Sequence, residues 1–397
     1  MRLVRNRFRR PSKGTVIVLA AALMPALIGF AALSVDTAVL TTAKAQLQTA
    51  ADAAALAGAM ELVSDRRLKN MPPVTDLSTE ITAAQTRAVS IAQTKANWAL
   101  NQQVDAHSGD IAAGNMNLNN QSGQYNPFAP IGLAGFDMSK LNSLQVSLYR
   151  DDAHGGKVPS FFGFGSRQLT VTSVATIQPY TITGYRSVNS QNVNLLPIVL
   201  NVSNYNDMIA GRTTDQYSYN SASGVTQGPD GVPESLLYPV RSGNPGNWGT
   251  IKVGVSNNST STLGAQIRYG ITPAQIATFP GGKISLDQKD TSTNPPTSYH
   301  NFGGNPGISA GIKDDLAAII GKPVTIPIYD QSGGNGNNAW FRVIAFAGVR
   351  IVYVNFQGNP KYVIVQTALL SDPSIIADQG SPLPFTSGGA IRLQLTK

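Results

Sequence analysis

The chemistry-bearing residues of this chain are few: three histidines, no cysteine, and short runs of aspartate, serine and glycine. Gly307-Ile308-Ser309-Ala310-Gly311 has the Gly-x-Ser-x-Gly spacing of a hydrolase nucleophile elbow. That elbow needs a strand just before the serine and a histidine base later in the chain. Here Asn301-Phe302-Gly303-Gly304-Asn305-Pro306 is turn sequence, and His107, His154 and His300 all precede Ser309. A helix-capping serine is the preferred reading, and no enzyme activity is expected. The histidines lie far apart, with no His-x3-His pair, so each is expected to be a solvated loop residue and no metal site follows. Asp151-Asp152 and Asp314-Asp315 are adjacent carboxylates, which alternate faces or flank helix starts instead of converging. Asp330-Gln331-Ser332-Gly333-Gly334-Asn335-Gly336-Asn337-Asn338 is rich in oxygen ligands for calcium, but its register is not that of an EF-hand and a plain turn is preferred. The glycine-rich segments lack a Gly-Lys-Ser/Thr ending, so no nucleotide, cofactor or small-molecule substrate is expected.

The elements behind these residues begin with a basic head. Arg2, Arg5, Arg7, Arg9, Arg10 and Lys13 precede a stretch, Gly14 to Val35, that carries no charge. As a helix it would reach about 33 Å, enough to cross a hydrocarbon core of about 30 Å. Positive charge on one flank predicts a cytoplasmic N-terminus and an exported remainder, so these six residues set the topology. The apolar run is longer than a signal peptide's and no small-x-small cleavage site followed by a turn is evident, which favours a retained anchor over a cleaved leader. Net charge is +8, and the head supplies most of it. The basic balance therefore reflects topology, and no nucleic-acid partner is expected.

From Asp36 to about Arg66 the pattern continues the membrane helix. Nine of the seventeen residues Ala43–Ala59 are alanine, the strongest helix former. Leu40, Ala43, Leu47, Ala50, Ala54 and Ala57 recur at steps of three and four and form a seam on one face. The seam fits either of two occupants, a partner membrane helix or the chain's own domain. Asp36 marks where the chain leaves the hydrocarbon, solvated there or paired with a partner's cation.

Gly14-Thr15-Val16-Ile17-Val18, then Pro25, Val35-Asp36 and Leu47-Gln48-Thr49-Ala50-Ala51-Asp52-Ala53-Ala54-Ala55-Leu56-Ala57-Gly58-Ala59 together resemble the TadG-like family of Tad (Flp) pilus-assembly membrane proteins. The resemblance covers about the first 60 residues. It implies a bacterial inner-membrane protein with extracytoplasmic domains, whose partners are pilus-assembly proteins or related membrane helices. Asp36, Leu47, Ala50, Asp52, Ala54 and Ala57 are then the expected helix-contact residues. A prepilin site usually places glutamate five positions after its processed glycine; counted from Gly14 that position is Leu19, so an accessory protein fits better than a pilin subunit. Some TadG-like proteins carry a von Willebrand A-type domain with an Asp-x-Ser-x-Ser metal motif. The corresponding Asn201-Val202-Ser203-Asn204-Tyr205 lacks the first carboxylate and the last serine, so a working site is not expected.

The expected fold class is α+β. It comprises a basic head (1–13), a transmembrane helix (14–35), an Ala-rich stalk helix (36–71), a small α+β domain (72–183) and a β-rich C-terminal domain (184–397). In the small domain Ser78 caps a helix running to about Trp98, strands cover Leu144–Tyr149 and Gln168–Ile177, and Phe161-Phe162-Gly163-Phe164-Gly165 reads as a buried aromatic corner. Beyond it, Leu195–Leu200 reads as a buried strand and Asp207–Gly246 as a surface excursion. Thr272-Pro273-Ala274-Gln275 reads as a capped helix start, and Val324–Tyr329, Trp340–Phe356 and Tyr362–Leu370 as strands. The function expected is a non-enzymatic envelope protein holding its β-rich module near the membrane. An anchored adhesion or ligand-binding protein is the alternative.

Overall fold

The structure is a computed structural model that describes residues 13–95, 103–119, 124–162, 165–239, 246–293, 296–358 and 361–396. Helix α1 runs unbroken from Lys13 to Met60 and passes through Pro25. It ends short of Arg66 because its last carbonyls are taken by tightened bonds: Glu61, Leu62 and Val63 donate to Gly58, Ala59 and Met60 at 3.0–3.1 Å. A short 3-10 turn, Asp65–Leu68, follows. Helix α2 spans Ser78–Lys95. Asp76, not Ser78, supplies its cap, accepting the Ser78 N–H at 2.9 Å. Trp98 lies outside the described residues.

Alanine and glycine let these helices approach closely. Ala50, Ala54 and Ala55 of α1 and Ala84 and Ala88 of α2 are fully buried against Leu144, Val146 and Leu148. Gly58 sits where the layers touch; a Cβ there would collide with Leu144 Cδ2 and lie 2.7 Å from the Ala84 carbonyl oxygen.

The strands form one sixteen-stranded sheet among the described residues, plus two small hairpins. Strands β1 (Ile111–Asn115) and β2 (Ser143–Arg150) pair with each other, and β2 pairs along its whole length with β3 (Leu169–Arg186). Further along the chain come β4 (Ile198–Asn201), β5 (Trp248–Ile251), β6 (Thr297–Asn305), β7 (Pro323–Gly333) and β8 (Ala339–Asn355). They pair in the order β6-β5-β4-β7-β8, and β6 also pairs with β8, so these five close into a ring. Strand β9 (Tyr362–Thr367) adds to β8, while β10 (Ile375–Pro382) and β11 (Gly389–Leu395) return to β3.

The division expected at residue 184 therefore falls inside a strand. β3 carries β2 on its first half and meets β8 through Ile182 and Phe346 on its second. The expected excursion 207–246 contains more structure than its polarity suggested. It holds a hairpin of Tyr217–Asn220 with Gly224–Gln227, and the strand Glu234–Leu237, which pairs with β9. β8 runs through Gly348 without a break, because Val349 and Arg350 keep pairing to both sides.

Two consequences are measurable. Gly58→Val should destabilise the folded body by about 1–3 kcal/mol through overpacking, read by denaturant unfolding with an unchanged m-value. Glu234, 1% exposed, accepts the Tyr217 N–H at 2.7 Å. Burial, reinforced by the charges of Asp215 and Asp230, pushes its carboxyl up from 4.5 to about 7. The folded state then holds this proton more tightly than the unfolded chain does. Its contribution to stability is present below pH 4.5, falls as pH rises through 7, and is flat above. Glu234→Gln should flatten that fall; a slope unchanged across pH 4.5 to 7 would remove Glu234 as its source.

Candidate functional site

The first half of α1 presents apolar side chains outward, from Ile17 at 70% exposed to Val35 at 46%. It contains the one helix among the described residues long and apolar enough to cross a membrane. Where the apolar run ends, polar side chains bond their own helix. Ser34 donates to the Phe30 carbonyl at 2.8 Å and Thr37 to the Leu33 carbonyl at 2.7 Å. Lys13 is the first residue of α1. Arg2, Arg5, Arg7, Arg9 and Arg10 lie outside the described residues.

At the boundary sits Asp36, buried within the chain's own fold and with no ion pair among the described residues. It is 6% exposed, and its carboxylate accepts the Ser160 hydroxyl, the Phe161 N–H at 2.9 Å and the Phe162 N–H. This clamps the β2–β3 connection against α1 where the apolar stretch stops. Phe161 and Phe162 then project outward, 59% and 53% exposed, instead of forming the expected buried corner. Hydrophobicity alone reads the same for a protein core and for an exposed apolar patch, which is why the sequence misplaced them. Gly163 and Phe164 lie outside the described residues.

The seam on α1 is occupied by the chain's own domain, one of the two occupants that its spacing allowed. Leu47, Ala50 and Ala54 are at most 1% exposed beneath α2, β2 and β3. Ala57 and Asp52 are half-buried, and Asp52 accepts the Gln48 amide at 2.7 Å. Leu47, Ala50 and Ala54 are thus interior contacts, and the helix surface left open between 41 and 49 is Thr41, Thr42, Lys44, Ala45 and Thr49.

The residues screened for catalysis are placed as follows. Ser309 caps the turn Ala310–Ile312, accepting the Gly311 N–H at 3.3 Å, and bonds the Thr260 hydroxyl at 2.7 Å. Asn201 caps the helix Val202–Ile209 through the Ser203 N–H at 2.9 Å. Asp330 is held by both arms of Arg342, whose third nitrogen bonds Asp290 at 2.7 Å. Asp290 is held down at about 2, first by the Ser292 hydroxyl and then by Arg342.

The histidines differ from expectation. His107 and His154 lie ring to ring, centroids 5.3 Å apart, with Asp110 between them. The Asp151 carboxylate bonds His154 Nδ1 at 2.7 Å and, with Asp110, raises the affinity of that imidazole for its proton. The available signal was local: Asp105-Ala106-His107-Ser108-Gly109-Asp110 and Asp151-Asp152-Ala153-His154 are the two places where histidine sits beside several aspartates. Only the β-sheet register, which sets the end of β2 beside the start of β1, brings them together.

The clamp is testable in bilayer discs. Asp36→Ala should raise amide exchange at Phe161 and Phe162 by about tenfold or more while leaving β2 and β3 protected. Unchanged protection would reduce Asp36 to a boundary residue.

Neither the curated proteins nor the solved structures contain a match to this chain. Residues 14–61, which comprise nearly all of α1, match the Tad family, described as "Putative Flp pilus-assembly TadE/G-like". Over residues 14–61 the chain is thus similar to the Tad family, and the same helix holds the one stretch among the described residues long and apolar enough to cross a membrane.

Proposed function

We propose that this protein is a non-catalytic anchor of a Tad/Flp-type pilus assembly in the bacterial inner membrane, with its N-terminus in the cytoplasm and its β-rich body exported. The observation that carries this reading is the continuity of α1. The helix passes from exposed apolar side chains to fully buried core alanines with no intervening linker. The body is thereby held rigidly upright on the span. Partner helices of the pilus apparatus would meet the exposed span and the Thr41–Thr49 surface, since the alanine seam is interior.

Several observations support the orientation and the absence of catalysis. The basic residues from Arg2 to Lys13 flank only one side of the span, the arrangement retained on the cytoplasmic side. Phe161 and Phe162, held by Asp36 at the opposite flank, suit the interfacial layer, where aromatic rings lie at headgroup level. Ser309, the one serine in a hydrolase-like motif, is bonded to Thr260 and a backbone amide instead of a base.

Because the chain lacks cysteine, single introduced thiols report without background. Ser221→Cys should react with a membrane-impermeant maleimide in cells with a permeabilised outer membrane, and Ser12→Cys only after lysis. Leu23→Cys and Leu27→Cys should crosslink to other membrane helices when the pilus genes are co-expressed, whereas Ala54→Cys should not. Reversed labelling, or recovery of the intact chain in the soluble pool, would overturn the topology. Crosslinks confined to position 54 would overturn the proposed contact surface.

A further inference from the structure

We propose that His107, Asp110 and His154 form a binding site for one divalent transition-metal ion of the Zn2+ class. The argument starts from the two nitrogens of each ring. His107 Nε2 lies 3.2 Å from Asp105 and His154 Nδ1 lies 2.7 Å from Asp151. Each far nitrogen is thus held by a carboxylate, which fixes the ring and turns its other nitrogen toward Asp110. His107 Nδ1 and His154 Nε2 stand 3.7 and 3.4 Å from the Asp110 carboxylate.

Those separations are too long for well-formed hydrogen bonds. They match a different geometry: ligands bonded at about 2.1 Å to a tetrahedral ion stand about 3.4 Å apart along each edge. One ligand atom from each of the three residues lies within 4.8 Å of the others, so small rotations close the set. Asp105 and Asp151 then play the part of outer carboxylates that orient metal-bound histidines and raise their basicity.

The backbone prepares the site. Asp110 Oδ2 accepts the His107 N–H at 2.8 Å, which aims the carboxylate inward, and its side chain is only 12% exposed. Asp151 Oδ1 accepts the N–H groups of Ala153 and His154, each at 3.0 Å, fixing the turn that presents the second imidazole. The His107 side chain is 54% exposed, which gives an ion a path from solvent and leaves a fourth position for water. Two imidazoles and one carboxylate select a borderline cation; calcium and magnesium prefer all-oxygen shells. A bound ion would staple the segment before β1 to the β2–β3 connection.

The rival explanation is a set of imidazolium–aspartate ion pairs with no ion. Calorimetric titration of the full-length protein in detergent, stripped with chelator and then given Zn2+, separates the two. One ion per chain is expected with Kd below about 10 μM, together with a rise in melting temperature. His154→Ala and Asp110→Ala should weaken binding by about 100-fold, and Asp105→Asn by about tenfold as an orienting partner. His107→Gln, at the most exposed ligand, is the variant least able to disturb folding and should also abolish tight binding. Absence of saturable Zn2+ binding up to about 1 mM, or wild-type binding by a His107→Gln, His154→Ala double variant, would overturn the site. Preference for Ca2+ over Zn2+ would overturn the ligand class.

Discussion

One unbroken helix serves two solvents, and the remaining structure is arranged around that demand. In hydrocarbon a helix is the form that satisfies every backbone group internally, so its outer face must be apolar. In the body the same helix must lie beneath a sheet, so its inner face must be small. α1 meets the first requirement with Ile17 to Val35 and the second with Ala43 to Ala59. The helix runs through Pro25 and Gly29 without a break in the assigned helix. The change of solvent is marked by side chains alone: Ser34 and Thr37 bond back to the helix, and Asp36 is consumed by the loop beside it.

A helix emerging rigidly would tear away from a loosely joined body, and its far end is correspondingly well fastened. Arg350 of β8 reaches Asp65, just past α1, with both carboxylate oxygens at 3.2 Å, and stacks on the Tyr219 ring. Arg67 is buried, donating to the carbonyls of Leu62 and Leu141 and lying 3.4 Å from the Phe385 ring centroid. Burial lowers its pKa to about 10, so it stays charged at neutral pH. The N–H groups of Asn70 and Met71 both donate to Gly231. Arg350 thus ties the turn after α1 to the ring of strands, while β3 joins that ring to β2. The expected boundary at residue 184 is thus crossed by one continuous strand.

Legibility followed the range of the forces involved. The span, the alanine-rich continuation, the capping of Thr272 by Gln275 and the cores of β2, β7 and β8 were readable because each depends on neighbours a few residues away. The extent of β3 was not. Pro179 reads as a strand end, yet the strand passes through it because the Pro179 carbonyl receives the Leu383 N–H at 2.8 Å and Ile391 lies opposite. That partner comes from the far end of the chain. β6 was hidden in the same way, since its Gly303-Gly304 pair looks like a turn, yet Gly304 allows close packing beneath Phe341. The occupant of the alanine seam was undecidable locally, because a partner helix and the protein's own sheet demand the same small residues.

The β2–β3 connection shows how position confers meaning on otherwise ordinary residues. One end carries Asp151 and His154; a few residues on, Ser160 and Phe161 bond Asp36. Between them Val158 and Arg167 bridge the connection to itself through paired backbone bonds of 2.9 Å. The segment is therefore fixed at both ends and braced in the middle, although it belongs to no long helix or strand. Fixing a loop so thoroughly is costly in conformational entropy, on the order of 1–2 kcal/mol for each residue ordered. Such ordering holds Phe161 and Phe162 outward where the apolar stretch of α1 ends and keeps His154 opposite His107. On the proposed function, anchoring rests on two elements, the apolar helix and the braced loop that Asp36 holds beside it.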